Sequence, residues 1–389
     1  MDRSVVIIGA GQAGAQTAAS LRELGHRGPV TIIGDEPCLP YQRPPLSKTF
    51  LKEPMTAERL QLRPAKFYAD RDVNLATERR VAGFDPGGRV VSFTDGAETP
   101  FDVLVLATGA RPRIPPLPGA GLRNVFVLRG VADAEAIRAA LAAGIERVAI
   151  VGGGYIGLEI AAALRHLGRR VTIIEAEERV LKRVASEPVS SFFEALHREN
   201  GVEIITRARV AALAGDGRVE SVRLQDGANI PVDAALLAVG AAPNVELAQA
   251  AGLAAEDGVL TDAHGQTSAP GIYACGDCAR FTSRRYGRSL RVESVQNAID
   301  QAKCVAAAIA GKPMVYDPVP WFWSDQGQTK LQIAGLSAPG DDIAIEGDPA
   351  SGSFAVEYRR SGRLVAVDAV NNARAHMLAR RRIAEETAV

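Results

Sequence analysis

Two glycine-rich loops set the terms for the rest of this chain: Gly9-Ala10-Gly11-Gln12-Ala13-Gly14 and Gly152-Gly153-Gly154-Tyr155-Ile156-Gly157. Each follows an apolar run, Val5–Ile8 or Val148–Val151, and opens an alanine-rich stretch with helical spacing. A second apolar run then ends in an acid, Asp35 or Glu175, a little beyond the roughly 20 residues usual for this fingerprint. One G-x-G-x-x-G is a weak signal, but two copies complete with strand, helix and distal carboxylate are a strong one. The first glycine makes the tight strand-to-helix turn, the second lets backbone approach a pyrophosphate, and the third lets helix and strand pack closely. The helix N-terminus offers free N–H groups and partial positive charge to the phosphates. The pattern implies a chain that holds two dinucleotides.

Composition narrows the field by exclusion. The 389 residues suggest two or three domains, and 47% apolar with 23% charged residues is ordinary for a globular protein. Forty-five basic residues balance forty-five acidic ones, so no overall field favours nucleic acid or anionic lipid. Met1-Asp2-Arg3-Ser4 enters the first strand at once, and no apolar run approaches the ~20 residues of a bilayer span. The expectation is a cytoplasmic protein with neither membrane nor nucleic-acid partner. Four cysteines make no disulfide framework. Cys38 and Cys304 read as small packed residues, whereas Cys275 and Cys278 form a C-x-x-C that admits a redox or metal role, without a second pair to complete a zinc site.

The chain also repeats its closings. Phe101–Leu106 leads into Ala107-Thr108-Gly109, and Val232–Leu237 leads into Ala238-Val239-Gly240. Shared openings and closings argue for duplicated nucleotide-binding units. Between them Arg111–Gly119 is too rich in proline for helix or central strand and reads as a linker. After Gly271–Ala274 and Cys275-Gly276-Asp277-Cys278 the reading is helix through Ala310. A new character begins near Pro318 with Trp321-Phe322-Trp323. Alternating runs at Lys330–Ile333, Ser353–Tyr358 and Leu364–Val370, then a basic helix around Met377–Ile383, suggest a small domain of sheet plus helix. The fold class expected is α/β: two Rossmann-like dinucleotide-binding domains and a small α+β C-terminal domain.

Three further segments narrow the assignment: Arg43-Pro44-Pro45-Leu46-Ser47-Lys48, Glu293-Ser294-Val295-Gln296-Asn297-Ala298 and Trp321-Phe322-Trp323-Ser324-Asp325-Gln326. With the loops, they resemble the two-dinucleotide flavoproteins of glutathione-reductase type. Within those, the chain resembles the oxygenase-coupled, NADH-dependent ferredoxin reductases of putidaredoxin-reductase type, FAD enzymes that feed Rieske dioxygenases and cytochromes P450. The likeness spans essentially the whole chain. It departs at Gly327, where the family usually has an aromatic, and at the tail, which stops soon after the last helix.

The resemblance implies FAD and NADH as cofactors and three domains: residues 1–110 with 243–318 for FAD, 111–242 for NAD, and 319–389 as the C-terminal α+β domain. It assigns Gly9, Gly11, Ala13, Gly14 and Asp35 to the adenosine end of FAD, Asp277 to its ribityl–phosphate region, and Lys48, Val295 and Trp323 to its ring. Val81 and Arg129 match two more FAD contacts. Gly152, Gly154 and Gly157 take the NADH pyrophosphate, Ile156 and Tyr155 border the nicotinamide, and Glu159 sits near its amide. Lys48, Glu159 and Trp323 are thereby the residues nearest the chemistry. Glu175 accepts the ribose hydroxyls and repels a 2′-phosphate, which favours NADH, with Arg179 and Arg183 as nearby cations.

A reactive dithiol beside the flavin finds no place in this reading. Glutathione-reductase relatives carry it early in the FAD domain, where only Cys38 occurs; thioredoxin reductases carry it in the NAD domain, where residues 111–242 have no cysteine. The expected partner is a [2Fe–2S] ferredoxin, docking near Arg284, Arg285, Arg288 and Arg291. The alternatives are a rubredoxin reductase, an NADH oxidase or peroxidase, and a redox-signalling flavoprotein like apoptosis-inducing factor.

Overall fold

A computed structural model describes residues 3–386. The first apolar run forms the strand Val5–Ile8, and its parallel neighbours are Val30–Ile33 and Val103–Leu106. Val73–Ala76 and Ile272–Ala274 complete a five-stranded parallel sheet. All four residues of Val5–Ile8 and of Val103–Leu106 are buried, as parallel strands covered on both faces require. The strand Ile272–Ala274 arrives from far along the chain. Its pairing with Val103–Leu106 brings the Cys275–Asp277 turn to the same sheet edge as the first glycine loop.

The second unit repeats the plan. Arg147–Val151 pairs in parallel with Arg170–Ile174 and Ala234–Leu237, flanked by Val202–Ile205 and Val125–Phe126. The proline-rich connection is more ordered than a linker: Ala110–Pro112 pairs antiparallel with Ala241–Pro243, so the outgoing and returning chains cross side by side. The segment after Cys278 also departs from the helical reading. Ala279–Ser283 and Arg288–Leu290 form an antiparallel hairpin, and the helix runs only from Val295 to Ile309. Its signal is the alternation of buried Ala279, Phe281 and Ser283 with more exposed neighbours.

Residues 321–370 build a five-stranded antiparallel sheet in the order Trp321–Gln326, Thr329–Gly335, Arg363–Val370, Ser353–Arg360, Asp342–Asp348. The helix Ala373–Glu386 covers one face through Ala379 and Ile383. The opposite face packs on the second nucleotide unit: Phe354, Val356 and Tyr358 share one core cluster with Ile150, Leu158 and Phe193. Gly327 makes the two-residue turn between the first two strands at φ +67, a conformation in which glycine is at ease and an aromatic is strained.

Candidate active site

The glycine loops superimpose in their constraints. A Cβ on Gly9 would lie 2.1 Å from the Ala107 carbonyl oxygen, and one on Gly152 2.5 Å from that of Ala238. A Cβ on Gly14 would meet the Gly9 oxygen at 2.0 Å, and one on Gly157 the Gly152 oxygen at 2.2 Å. These four glycines are demanded by the protein itself. Gly11 and Gly154 are not: their φ values, −95° and −81°, suit any residue, and an added Cβ would meet nothing within 4 Å. Both are helix N-caps with no side-chain cap. The middle glycine of each loop is therefore not demanded by the chain's own packing, and the room above each helix N-terminus fits a pyrophosphate.

Around the first loop, Ala13 is buried and its Cβ lies 2.9 Å from where a Gly276 side chain would begin. That contact sets the Gly276-Asp277 turn against the loop helix. Gln301 holds the turn by accepting the Gly276 N–H at 2.8 Å. Arg129 Nη2 donates to Asp277 Oδ2 at 3.1 Å; burial raises the Asp277 carboxyl, and Arg129 opposes the rise. Asp35 is exposed at its strand end, with Arg80 at 3.6 Å. Val81 opens the next strand, partly buried on the core beneath that edge. Val295 begins the helix capped by Ser294, whose hydroxyl accepts the Asn297 N–H at 3.0 Å.

The arrangement closes on Glu159. Its Oε2 accepts Lys48 Nζ at 2.6 Å and Ser47 Oγ at 2.5 Å; its Oε1 accepts Ser324 Oγ at 2.7 Å. The carboxylate is 5% exposed, so this is a buried ion pair and no solvated helix start. Three segments distant in sequence meet there: the proline turn, the helix Tyr155–His166 and the strand bearing Trp323. The proline turn is clamped by Arg43, which donates to Glu36, to the Tyr41 hydroxyl and to the Arg129 carbonyl. Trp323 is half-buried with its ring 5.8 Å from Trp321, and the Trp321 N–H donates to Gln296 beside Val295. Ser47 and Ser324 were legible inside the quoted motifs, but nothing in the sequence says that both address one carboxylate.

At the second loop Glu175 accepts the Gly153 N–H at 2.7 Å and the Glu177 N–H at 2.9 Å, which fixes the carboxylate beside the loop. Ile156 is 49% exposed at the loop, and Tyr155 lies against Phe322 at 4.8 Å. Arg179 is bonded to Ala185 O and Ser190 Oγ; Arg183 is exposed near Gly240.

The arginine group resolves unevenly. Arg284 and Arg288 are exposed, but Arg285 donates to the Ile383 and Asp317 carbonyls, and Arg291 pairs with Asp257 and Glu293 with its side chain 10% exposed. Of the four, Arg284 and Arg288 are thus left open to solvent, while Arg285 and Arg291 are held by partners outside the hairpin. The cysteines are free, and burial pushes the Cys275 thiol up to about 12 and Cys278 upward. Such thiols stay protonated and unreactive at neutral pH. Among the described residues no histidine, cysteine and carboxylate cluster suits a metal ion, and no helix is long and apolar enough to cross a membrane.

Fold and site define a two-dinucleotide oxidoreductase whose C-terminal sheet packs on the helix of its second glycine loop. Residues 3–302 match the pyridine nucleotide-disulphide oxidoreductase family model, and residues 321–389 match the reductase C-terminal model. A ferredoxin–NAD(P)+ reductase of a Sphingomonas species is 46% identical over 370 residues, covering 94% of this chain and 89% of the relative. The crystal structure of the ferredoxin reductase for the CYP199A2 system of Rhodopseudomonas palustris superposes with a TM-score of 0.96 at 42% identity, covering 100% of this chain and 96% of that one. Putidaredoxin reductase, solved in covalent complex with putidaredoxin, gives 0.95 at 40% identity, covering 99% and 94%. The chain belongs to the pyridine nucleotide-disulphide oxidoreductase family and, within it, to the ferredoxin reductases.

Proposed function

We propose that the chain is an FAD-containing, NADH-dependent reductase of a [2Fe–2S] ferredoxin serving a Rieske dioxygenase or a cytochrome P450, working in the cytoplasm where NADH is at hand. The observation that carries this reading is the meeting of three segments on Glu159, between the two nucleotide loops, with no cysteine among them. When bound, FAD would supply the redox chemistry, the two-electron oxidation of NADH coupled to one-electron release. The protein supplies binding, orientation and charge. Residues 1–110 with 243–318 hold FAD, through Gly11 at the pyrophosphate, Asp35 at the ribose, Val81 and Arg129 at its flanks, and Asp277 along the ribityl chain. Residues 111–242 receive NADH on Gly154, with Glu175 at the ribose and Ile156 beside the nicotinamide. Lys48 brings a cation toward the ring, held in place by Glu159, while Val295 and, from the 319–389 domain, Trp323 wall off water.

Glu175 favours NADH over NADPH for two reasons. Its carboxylate is anchored by two backbone N–H groups, and Arg179 is committed elsewhere. The exit for electrons lies toward exposed Arg284 and Arg288, whose charge steers an acidic iron–sulfur protein. The test is NADH-dependent cytochrome c reduction with and without added [2Fe–2S] ferredoxin. Fast turnover only with ferredoxin, and an NADH/NADPH preference that narrows about tenfold or more in Glu175→Ala, support the reading. Equal turnover with rubredoxin, direct oxygen reduction, or a long-lived reduced state with negligible turnover would each replace it.

A further inference from the structure

A buried acid stands outside the machinery described so far. Asp368 lies on the strand Arg363–Val370, 2% exposed, on the sheet face that packs against the second nucleotide unit. Its carboxylate Oδ2 bonds the Tyr358 hydroxyl from the neighbouring strand. That hydroxyl also lies 2.9 Å from Ser186 Oγ and accepts the Ser186 N–H at 3.1 Å. Ser186 ends the segment 180–186, which runs back to the glycine loop by three contacts. The Leu181 N–H donates to the Gly153 carbonyl at 3.0 Å, the Tyr155 hydroxyl donates to the Val184 carbonyl at 3.3 Å, and Val180 Cγ1 closes on Gly153.

We infer that Asp368 is a positioning residue for the NADH site: through Tyr358 and Ser186 it fixes the segment 180–186, and with it the Gly153–Tyr155 turn. The inference rests on the reading of that loop as the NADH site. The one phenolic hydrogen goes to Asp368 or to Ser186 Oγ at a time, while the Ser186 N–H donates to the same oxygen, so Asp368 is the anchor on the sheet side and Ser186 the anchor on the segment side. An apolar residue at 368 leaves the hydroxyl buried with one anchor fewer, a cost that falls on the segment it holds. The titratable groups that face Asp368 are Tyr358 from its own sheet and Tyr155 from the glycine-loop helix, both kept neutral by burial. Among the described residues no comparable chain of bonds links this sheet to the first loop's helix; on that side the sheet touches Gln296 through the Trp321 N–H.

The test uses the FAD-loaded protein and NAD+ as the probe, because NAD+ binds without reducing the flavin. Tyr358→Phe keeps the ring and removes the hydroxyl. Its Kd for NAD+ by calorimetry should rise roughly three- to tenfold, with FAD content and kcat with NADH held within about twofold. Hydrogen exchange at the Ser186 and Leu181 amides should quicken, while the Gly14–Leu21 amides of the first loop's helix do not change. Asp368→Leu should match it, and Asp368→Asn, which can still bond Tyr358, should recover most of the affinity. If Tyr358→Phe does not fold, Asp368→Leu alone carries the same expectation. Unchanged NAD+ affinity with unchanged exchange at Leu181 overturns the inference, as does a fall in stability with affinity intact. Gly154→Val separates the two levels. If it too leaves NAD+ affinity unchanged, the loop is not the NADH site; if it abolishes binding while Tyr358→Phe does nothing, only the role of Asp368 falls.

Discussion

Glu159 takes hydrogen bonds from two parts of the chain remote from its own helix, so its loss is felt in all three at once. Glu159→Leu strands the Lys48 ammonium in a site where its side chain is 17% exposed, a loss of about 3 kcal/mol or more. Lys48→Met combined with Glu159→Leu should recover most of that in denaturant unfolding, because no charge is left unpaired. Simple additivity of the two losses would refute the coupling. Asp368 gives a second residue-level expectation. Burial pushes its carboxyl up to about 7, against an ordinary value near 4. The native state keeps a proton that the unfolded chain releases, so wild-type stability falls as pH rises between those values, by a few kcal/mol at most. Asp368→Asn lacks this term, and its Tm should gain on the wild type from about pH 4 to pH 7 and level off above; a constant difference across that range contradicts it. These two acids were unequally legible. Glu159 follows a glycine loop, but Asp368 sits in Leu-Val-Ala-Val-Asp-Ala-Val, where a lone acid reads as the strand's solvent side. Only a sheet covered on both faces makes it a buried one.

Among the elements, the glycine loops were the most legible because each glycine answers a separate constraint. The two kinds of glycine separate cleanly: φ +119 and a carbonyl at 2.1 Å leave Gly9 no substitute, whereas Gly11 has space on every side. The hairpin Ala279–Leu290 was misread as helix because its alternation spans only the five residues Ala279–Ser283, too few to stand out before the helix that follows; in the fold that face is where Phe281 meets Tyr316 at 4.8 Å. The strand Asp342–Asp348 was not expected at all. It is exposed throughout and held by backbone pairing to Ser353–Arg360, so its sequence carries no burial pattern to find. The crossing of Ala110–Pro112 with Ala241–Pro243 was hidden for a similar reason: strand pairs so short and distant in sequence leave no local trace.

At the scale of the molecule, the duplicated unit and the appended sheet were legible from repeats and from the tryptophan segment. Their mutual arrangement was not, because it is decided by side chains such as Ser324, Tyr358 and Phe354 that meet partners from other units. That arrangement gives the two loops different surroundings. The first is enclosed by Asp277, Arg129 and the Val295 helix; the second is backed by the C-terminal sheet and leaves Ile156 exposed. The proposed assignment, FAD held at the first loop and NADH exchanged at the second, rests on this difference. The measurement that bears on it most directly compares Gly11→Val with Gly154→Val under anaerobic rapid mixing with NADH, read in the visible flavin band. Both should fold, since neither side chain meets a protein atom at its Cβ. Gly11→Val should purify without flavin colour, and Gly154→Val should carry FAD that NADH, at levels saturating for the wild type, fails to bleach. Colour lost from Gly154→Val and kept by Gly11→Val, or normal bleaching in both, would contradict the assignment of the loops.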